Sequence, residues 1–229
     1  MEWRKGYLDL VLVPLGLLLP LVYHLWLWYR VRSKPLHTII GINSVGRRLW
    51  VEAVMKDNDK KNILAVQTIR NTIMGSTLMA TTSILLSSGL AAVLSSTYSV
   101  KRPLYDSVFG AHGEFMVALK YVSLLVVFVF AFLCHSLSIR FVNQANFLIN
   151  VPLSDSLVTV AYVADLLEKG FALNTVGNRL FYAALPLLLW IFGPLPVVFS
   201  SLTMVLILYN LDVVYEVRGK SKDDEKGCV

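Results

Sequence analysis

The chain has 229 residues, of which 56% are hydrophobic and only 16% charged, with a mean hydropathy of +0.63. Soluble domains carry about 25% charge, so this composition excludes an ordinary water-soluble fold and points to lipid as the solvent. The net charge of +6 resides in side chains that flank apolar runs, which is headgroup chemistry rather than nucleic-acid binding, and two cysteines far apart in sequence exclude a disulfide framework.

Four apolar runs, residues 8–29, 72–98, 115–139 and 180–209, each exceed the ~20 residues that a helix needs to cross a bilayer. They predict an all-α, polytopic membrane bundle with four transmembrane helices. A single domain occupies residues 1–215, and 216–229 reads as a charged, disordered tail.

The first run contains Pro14 and Pro20 and ends in Trp26, Trp28 and Tyr29, then Arg30, Arg32 and Lys34. Aromatics followed by cations mark a helix leaving the membrane. No small-x-small cleavage site follows, so the run reads as a retained anchor. His24 reads as an interfacial histidine beside Trp28, with a proton relay as the sharper alternative. In the first loop, Ser44 can cap a helix over 44–55 with an apolar stripe of Leu49, Trp50, Ala53 and Val54, and with Arg47, Arg48 and Lys56 off that stripe. Such a helix fits either the membrane surface or the ends of other spans. Asp57-Asn58-Asp59 reads as a turn, with Asp59 the N-cap of a helix that runs from Lys60 unbroken into the second run.

The second run is rich in small and hydroxyl residues. Ser76/Ala80, Ser87/Ala91, Ser88/Ala92 and Ala92/Ser96 are small-xxx-small pairs that let helix backbones approach closely, which predicts a place at the bundle centre. The second loop, with Lys101, Arg102, Pro103, Asp106, His112 and Glu114, reads as a solvated turn. The third run continues as helix to about Val151, because Pro152 disfavours α geometry in the residue before it. On this continuing helix Ser136, Arg140, Asn143 and Asn150 share one side, with Asn146 beside them. This strip is either a vestibule facing Arg70 and Asn71 or a hydrogen-bonded seam with Gln67, Arg70 and Asn71. A short helix from Asp155 to Lys169 is expected next, capped by Ser154 and stopped at Gly170. Gly193, Pro194 and Pro196 should break the fourth run near mid-membrane, leaving Asn210 and Asp212 at its exit.

Loop one carries nine basic residues between Arg30 and Arg70, and loop three adds Arg140, Lys169 and Arg179. The N-terminus, loop two and tail together carry eight. The positive-inside rule then puts loops one and three in the cytosol and both termini on the other side.

Arg47-Arg48-Leu49-Trp50-Val51, Ala65-Val66-Gln67-Thr68-Ile69-Arg70-Asn71, Arg140-Phe141-Val142-Asn143-Gln144, Gly177-Asn178-Arg179 and Trp190-Ile191-Phe192-Gly193-Pro194 occur in that order. With these motifs the chain resembles the four-span membrane proteins of plants and bacteria catalogued as domain of unknown function 599. The resemblance implies a fold and a membrane location but no activity.

No HExxH, GxSxG or similar spacing involves His24, His37, His112 or His135, so neither catalysis nor a cofactor or metal is expected. The sequence fits a non-enzymatic membrane protein that self-assembles, as a pore or transport pathway. A scaffold that docks a cytosolic protein through residues 44–55 and 155–169 is the alternative, and an enzyme acting on lipid headgroups is a third reading. The expected partners are the bilayer, further copies of the chain and a cytosolic protein, with no nucleic acid.

Overall fold

A computed structural model describes the backbone of residues 2–56, 58–100, 114–151 and 158–214, with side chains at 9, 11–56, 63–96, 116–151 and 158–214. The described residues form six α-helices: α1 (Glu2–Ser33), α2 (Ile39–Lys56), α3 (Asn58–Val100), α4 (Glu114–Leu148), α5 (Val160–Leu189) and α6 (Pro194–Asp212). A single 3-10 turn over Pro35–His37 joins α1 to α2. Four segments are long and apolar enough to cross a membrane: Val11–Ser33, Ile63–Ser96, Met116–Leu148 and Pro194–Asp212. The 43-residue α3 and 35-residue α4 reach ~64 and ~52 Å at 1.5 Å per residue, longer than the ~30 Å hydrocarbon layer.

The helix order follows from three packed layers. Near one end, Val51, Val54 and Met55 of α2 meet Ala65 and Ile69 of α3, Val142 and Ala145 of α4, and Val163 and Leu167 of α5. Near the other end, Val13 of α1, Leu124 and Phe128 of α4, Ala184 and Leu187 of α5, and Val197 of α6 pack together. Tyr23 and Leu27 of α1 meet Met204 and Leu208 of α6 in the third layer. Helices α3, α4, α5 and α6 therefore alternate in direction, and α1 lies parallel to α6.

This arrangement corrects several expectations. Gly170 does not stop a helix. It lies mid-way along α5, where a Cβ would come 2.6 Å from Val142 Cγ2, and its carbonyl accepts a 2.7 Å hydrogen bond from Ser138. The glycine serves close α4–α5 approach rather than chain reversal. Thr159 caps α5 by accepting from the Tyr162 N–H, whereas Ser154 and Asp155 lie outside the described residues. Residues 180–209 are thus not one interrupted span. They are the end of α5, a turn, and α6, whose 19 residues reach ~28 Å alone.

The turn lies at the bundle end rather than mid-membrane, and it reverses the chain. Gly193 has φ 145° and ψ 173°, a conformation essentially confined to glycine. Pro194 then occupies the first helical position of α6, where its missing N–H costs nothing, and Pro196 lies in the same first turn without breaking it.

Helix α3 is at the edge of the bundle, not its centre. Its inner side, with Ser76, Ala80, Ser83 and Ser87, is buried, and the opposite side is exposed. Ser83 and Ser87 donate to carbonyls four residues back, at 2.8 and 2.9 Å. Helix α3 begins at Asn58, so Asp59 lies within its first turn.

Candidate functional site

The predicted strip does not assemble. Arg70 and Asn71 are exposed on the outer side of α3, lining a shallow groove with Gln67 and Met74. Arg140 and Asn143 are exposed on α4, off the buried line formed by Leu124, Ala131, His135, Val142 and Ala145. Asn146 is half-buried, and its Oδ1 has no hydrogen-bond partner among the described residues. The α3–α4 seam at this level is apolar, built from Ala65, Ile69, Val142, Ala145 and Ile149. Neither the facing vestibule nor the amide seam forms within one chain.

The polar interior uses other residues. Asn174 Oδ1 on α5 accepts from Ser76 Oγ of α3 at 3.1 Å and lies 3.1 Å from His135 Nδ1 of α4. His135 is wholly buried over Gly177, where a Cβ would lie 2.7 Å from Nε2. Three helices thus converge on one amide. The sequence signal was present, since polar groups inside an apolar helix are normally paired to neighbours, but His135 and Asn174 are 39 residues apart.

A second cluster ties α1, α5 and α6 together. Tyr23 donates to Asp212 Oδ2 at 2.6 Å, and Arg179 bonds the other carboxylate oxygen. Asp212, expected at the membrane exit, is buried. A third cluster lies at the opposite end. Lys120, 3% exposed, sits 5.6 Å above the Trp190 ring and within electrostatic reach of the buried Asp9. Asp9 and Lys120 were legible as charges inside apolar runs, which are functional or structural pairs by default.

Between His135 and Lys120, α4 buries Ala131, Phe128 and Leu124, and Phe181 of α5 meets Phe128 edge-on at 5.5 Å. This apolar plug, Leu124 to Ala131, is ~10 Å tall and separates two polar groups ~22 Å apart along α4.

Helix α2 packs on α5 rather than lying free. Arg47 binds Glu168 through two bonds of 2.7 and 3.1 Å and stacks on Phe171, while Arg48 pairs with Asp165 at 2.7 Å. Trp50, Val51, Val54 and Met55 supply the apolar contact, and Leu49 is exposed. On the free side of α2, a 2.7 Å hydrogen bond from Lys56 holds Glu52 below the usual carboxylate range.

A cleft of about 590 Å³ separates α1 from α5, closed at one end by Arg47 and Glu168. Leu17, Leu21, Val176, Ala183 and Leu187 form its apolar walls, and His24 and Arg179 lie toward the α2 end. His24 Nδ1 donates to the Pro20 carbonyl at 2.6 Å.

Among the described residues the histidines do not gather. His135 is buried among α3, α4 and α5, His24 borders the cleft, His37 is exposed, and His112 lies outside the described residues. No group of three metal-ligating side chains occurs among the described residues.

Long apolar helices with internally paired polar groups define a polytopic helical membrane protein. A match to the family described as "Protein of unknown function, DUF599" covers residues 11–217, and the chain belongs to that family. Comparison with curated proteins and with solved structures finds no match.

Proposed function

We propose that this protein is a non-catalytic membrane protein that self-associates through the outward side of α3. The observation that carries this reading is the position of the small residues. Ser88, Gly89, Ala92 and Ser96 are exposed, away from α4, and nothing within 4 Å occupies the space a Cβ at Gly89 would fill. Small residues spaced by four allow a second helix to approach until backbones touch. The same surface on a second copy is complementary by symmetry. Ser88 satisfies its own hydroxyl by donating to the Ile84 carbonyl at 2.9 Å, so the face is ready for close van der Waals contact.

In this reading a solute path runs between copies, around the apolar plug of each bundle, with Arg70 and Asn71 of each α3 at its mouth. The scaffold reading is less favoured, because the ion-paired face of α2 is taken by α5. For the headgroup-enzyme reading, the described residues offer no gathered set of histidines.

The test is the mass of the full chain in nanodiscs, by native mass spectrometry. A defined symmetric oligomer is expected, and Ser88→Phe with Ala92→Phe should weaken it at least ~tenfold, about 1.4 kcal/mol. A monomer of 25.7 kDa at all concentrations overturns the proposal.

A further inference from the structure

We infer that the α1–α5 cleft is a binding site for an anionic phospholipid drawn from the surrounding bilayer, one acyl chain lying between the helices and the phosphate at the α2 end. The cleft exists because α1 and α5 each have a better partner. Helix α1 packs Tyr23 and Leu27 onto Met204 and Leu208 of α6, while α5 packs onto α4 through Gly170 and Gly177. The Tyr23–Asp212–Arg179 cluster joins them through α6 without closing the space. Small side chains at Ala172 and Ala183 keep it open.

Its volume, about 590 Å³, is in the range of small-ligand sites, and so is the pattern of apolar walls with a few polar groups at one end. The cleft is flanked by α1 and α5 at the depth of the α1 span, so lipid is the solute at highest local concentration.

Charge argues for the headgroup. Trp28 lines the cleft and carries Arg32 stacked 4.2 Å over its ring, and Arg30 stacks on Trp26 at 5.2 Å. Among the described residues no carboxylate pairs with Arg30 or Arg32. Arg47 and Arg179 line the same end but are already paired, with Glu168 and with Asp212, so the uncompensated charge there is that of Arg30 and Arg32. Arg179 Nη1 is buried without a hydrogen-bond partner, a state that costs free energy until an acceptor arrives. An aromatic residue with cations at a helix exit sits at headgroup depth, and an excess of guanidinium groups there fits a phosphate better than a neutral headgroup.

The test reconstitutes the full chain in nanodiscs containing phosphatidylcholine with phosphatidylglycerol and counts the lipid retained on release into a native mass spectrometer. One phosphatidylglycerol per chain is expected, in preference to phosphatidylcholine. Ala183→Trp or Val176→Trp, each filling the cleft, should reduce retention about tenfold, comparable to losing the burial of one to two methylene-scale contacts. Arg32→Gln should reduce the headgroup preference ~fivefold, the effect of one cation near a membrane surface. Leu185→Trp, exposed on α5 away from the cleft, is the control and should retain lipid as the parent does, with melting temperatures confirming folding in every variant. Retention that ignores both Trp plugs, or that treats the two headgroups alike, overturns the inference. So does a plug that leaves lipid bound but changes the oligomer, which would assign the cleft to a second copy.

Discussion

At the residue scale, the closed Tyr23–Asp212–Arg179 cluster makes the sharpest stability prediction. Removing one partner of a buried ion pair leaves an uncompensated charge and costs ~3–5 kcal/mol. Losing one hydrogen bond to that carboxylate costs ~1–3 kcal/mol. Asp212→Leu should therefore lower the thermal unfolding midpoint in mild detergent well below that of Tyr23→Phe. Adding Arg179→Met to Asp212→Leu should recover much of the loss, because apolar replacement of a whole buried pair is often near neutral. Additive losses in that double-mutant cycle would show that the two side chains are not coupled. None of the three residues was legible as a cluster in the sequence. Arg179 read as a loop cation and Asp212 as an exit residue, and nothing singled out Tyr23, because pairing across 189 residues leaves no local pattern. The Arg140–Asn143 strip failed for the opposite reason. Its periodicity is real, but a helix packed by α3 and α5 buries its apolar line, and a polar stripe beyond the bilayer can simply be wet.

At the scale of elements, what the sequence made plain was what depends on length and local chemistry. The apolar runs, the continuity of α3 from the first loop into the membrane and the break at Gly193 follow from hydropathy and from backbone rules. What it hid was α5. Asp165, Glu168, Lys169 and Arg179 make that helix too polar to read as a crossing, yet the first two pair with α2 and the last with α6. Gly170 resembled a terminator because a glycine for close packing and a glycine for chain reversal look alike in one dimension. The two roles separate experimentally. At Gly193 a side chain meets a backbone conformation that costs ~1–3 kcal/mol outside glycine, with nothing gained. Gly193→Ala should lower the unfolding midpoint accordingly, and the loss should persist in any background. Wild-type stability in Gly193→Ala would mean that the α5–α6 turn adopts a different backbone.

At the scale of the whole molecule, helix direction decides where the termini lie. Helix α1 runs toward the 3-10 turn, α3 and α5 run away from it, and α4 and α6 return. The end of α6 is fixed beside that turn: Val213 forms an antiparallel bridge with Thr38, and the Val214 N–H donates to the His37 carbonyl at 3.1 Å. The chain therefore leaves α6 at the same end as loop one, whereas α1 begins at the opposite end with Asp9. The charge count that placed both termini together treated α5 and α6 as one crossing. If α5 crosses as a fifth helix beside the four segments that are apolar enough to span, the tail cations Arg218, Lys220, Lys222 and Lys226 belong to the loop-one side. The cations left on the other side are then Arg4, Lys5, Lys101, Arg102 and Lys120 of the chain's 21. On that topology the positive-inside bias is steep where it had been marginal, and it predicts a cytosolic loop-one end. Reporter fusions active only on the cytosolic side should thus signal from the C-terminus and remain silent at the N-terminus. A membrane-impermeant thiol reagent applied to sealed cells should leave Cys228 unlabelled until the membrane is opened. Equal signals from both termini would require an even number of crossings, and α5 would then have to leave the position beside α4 that Gly170, Asn174 and Gly177 create.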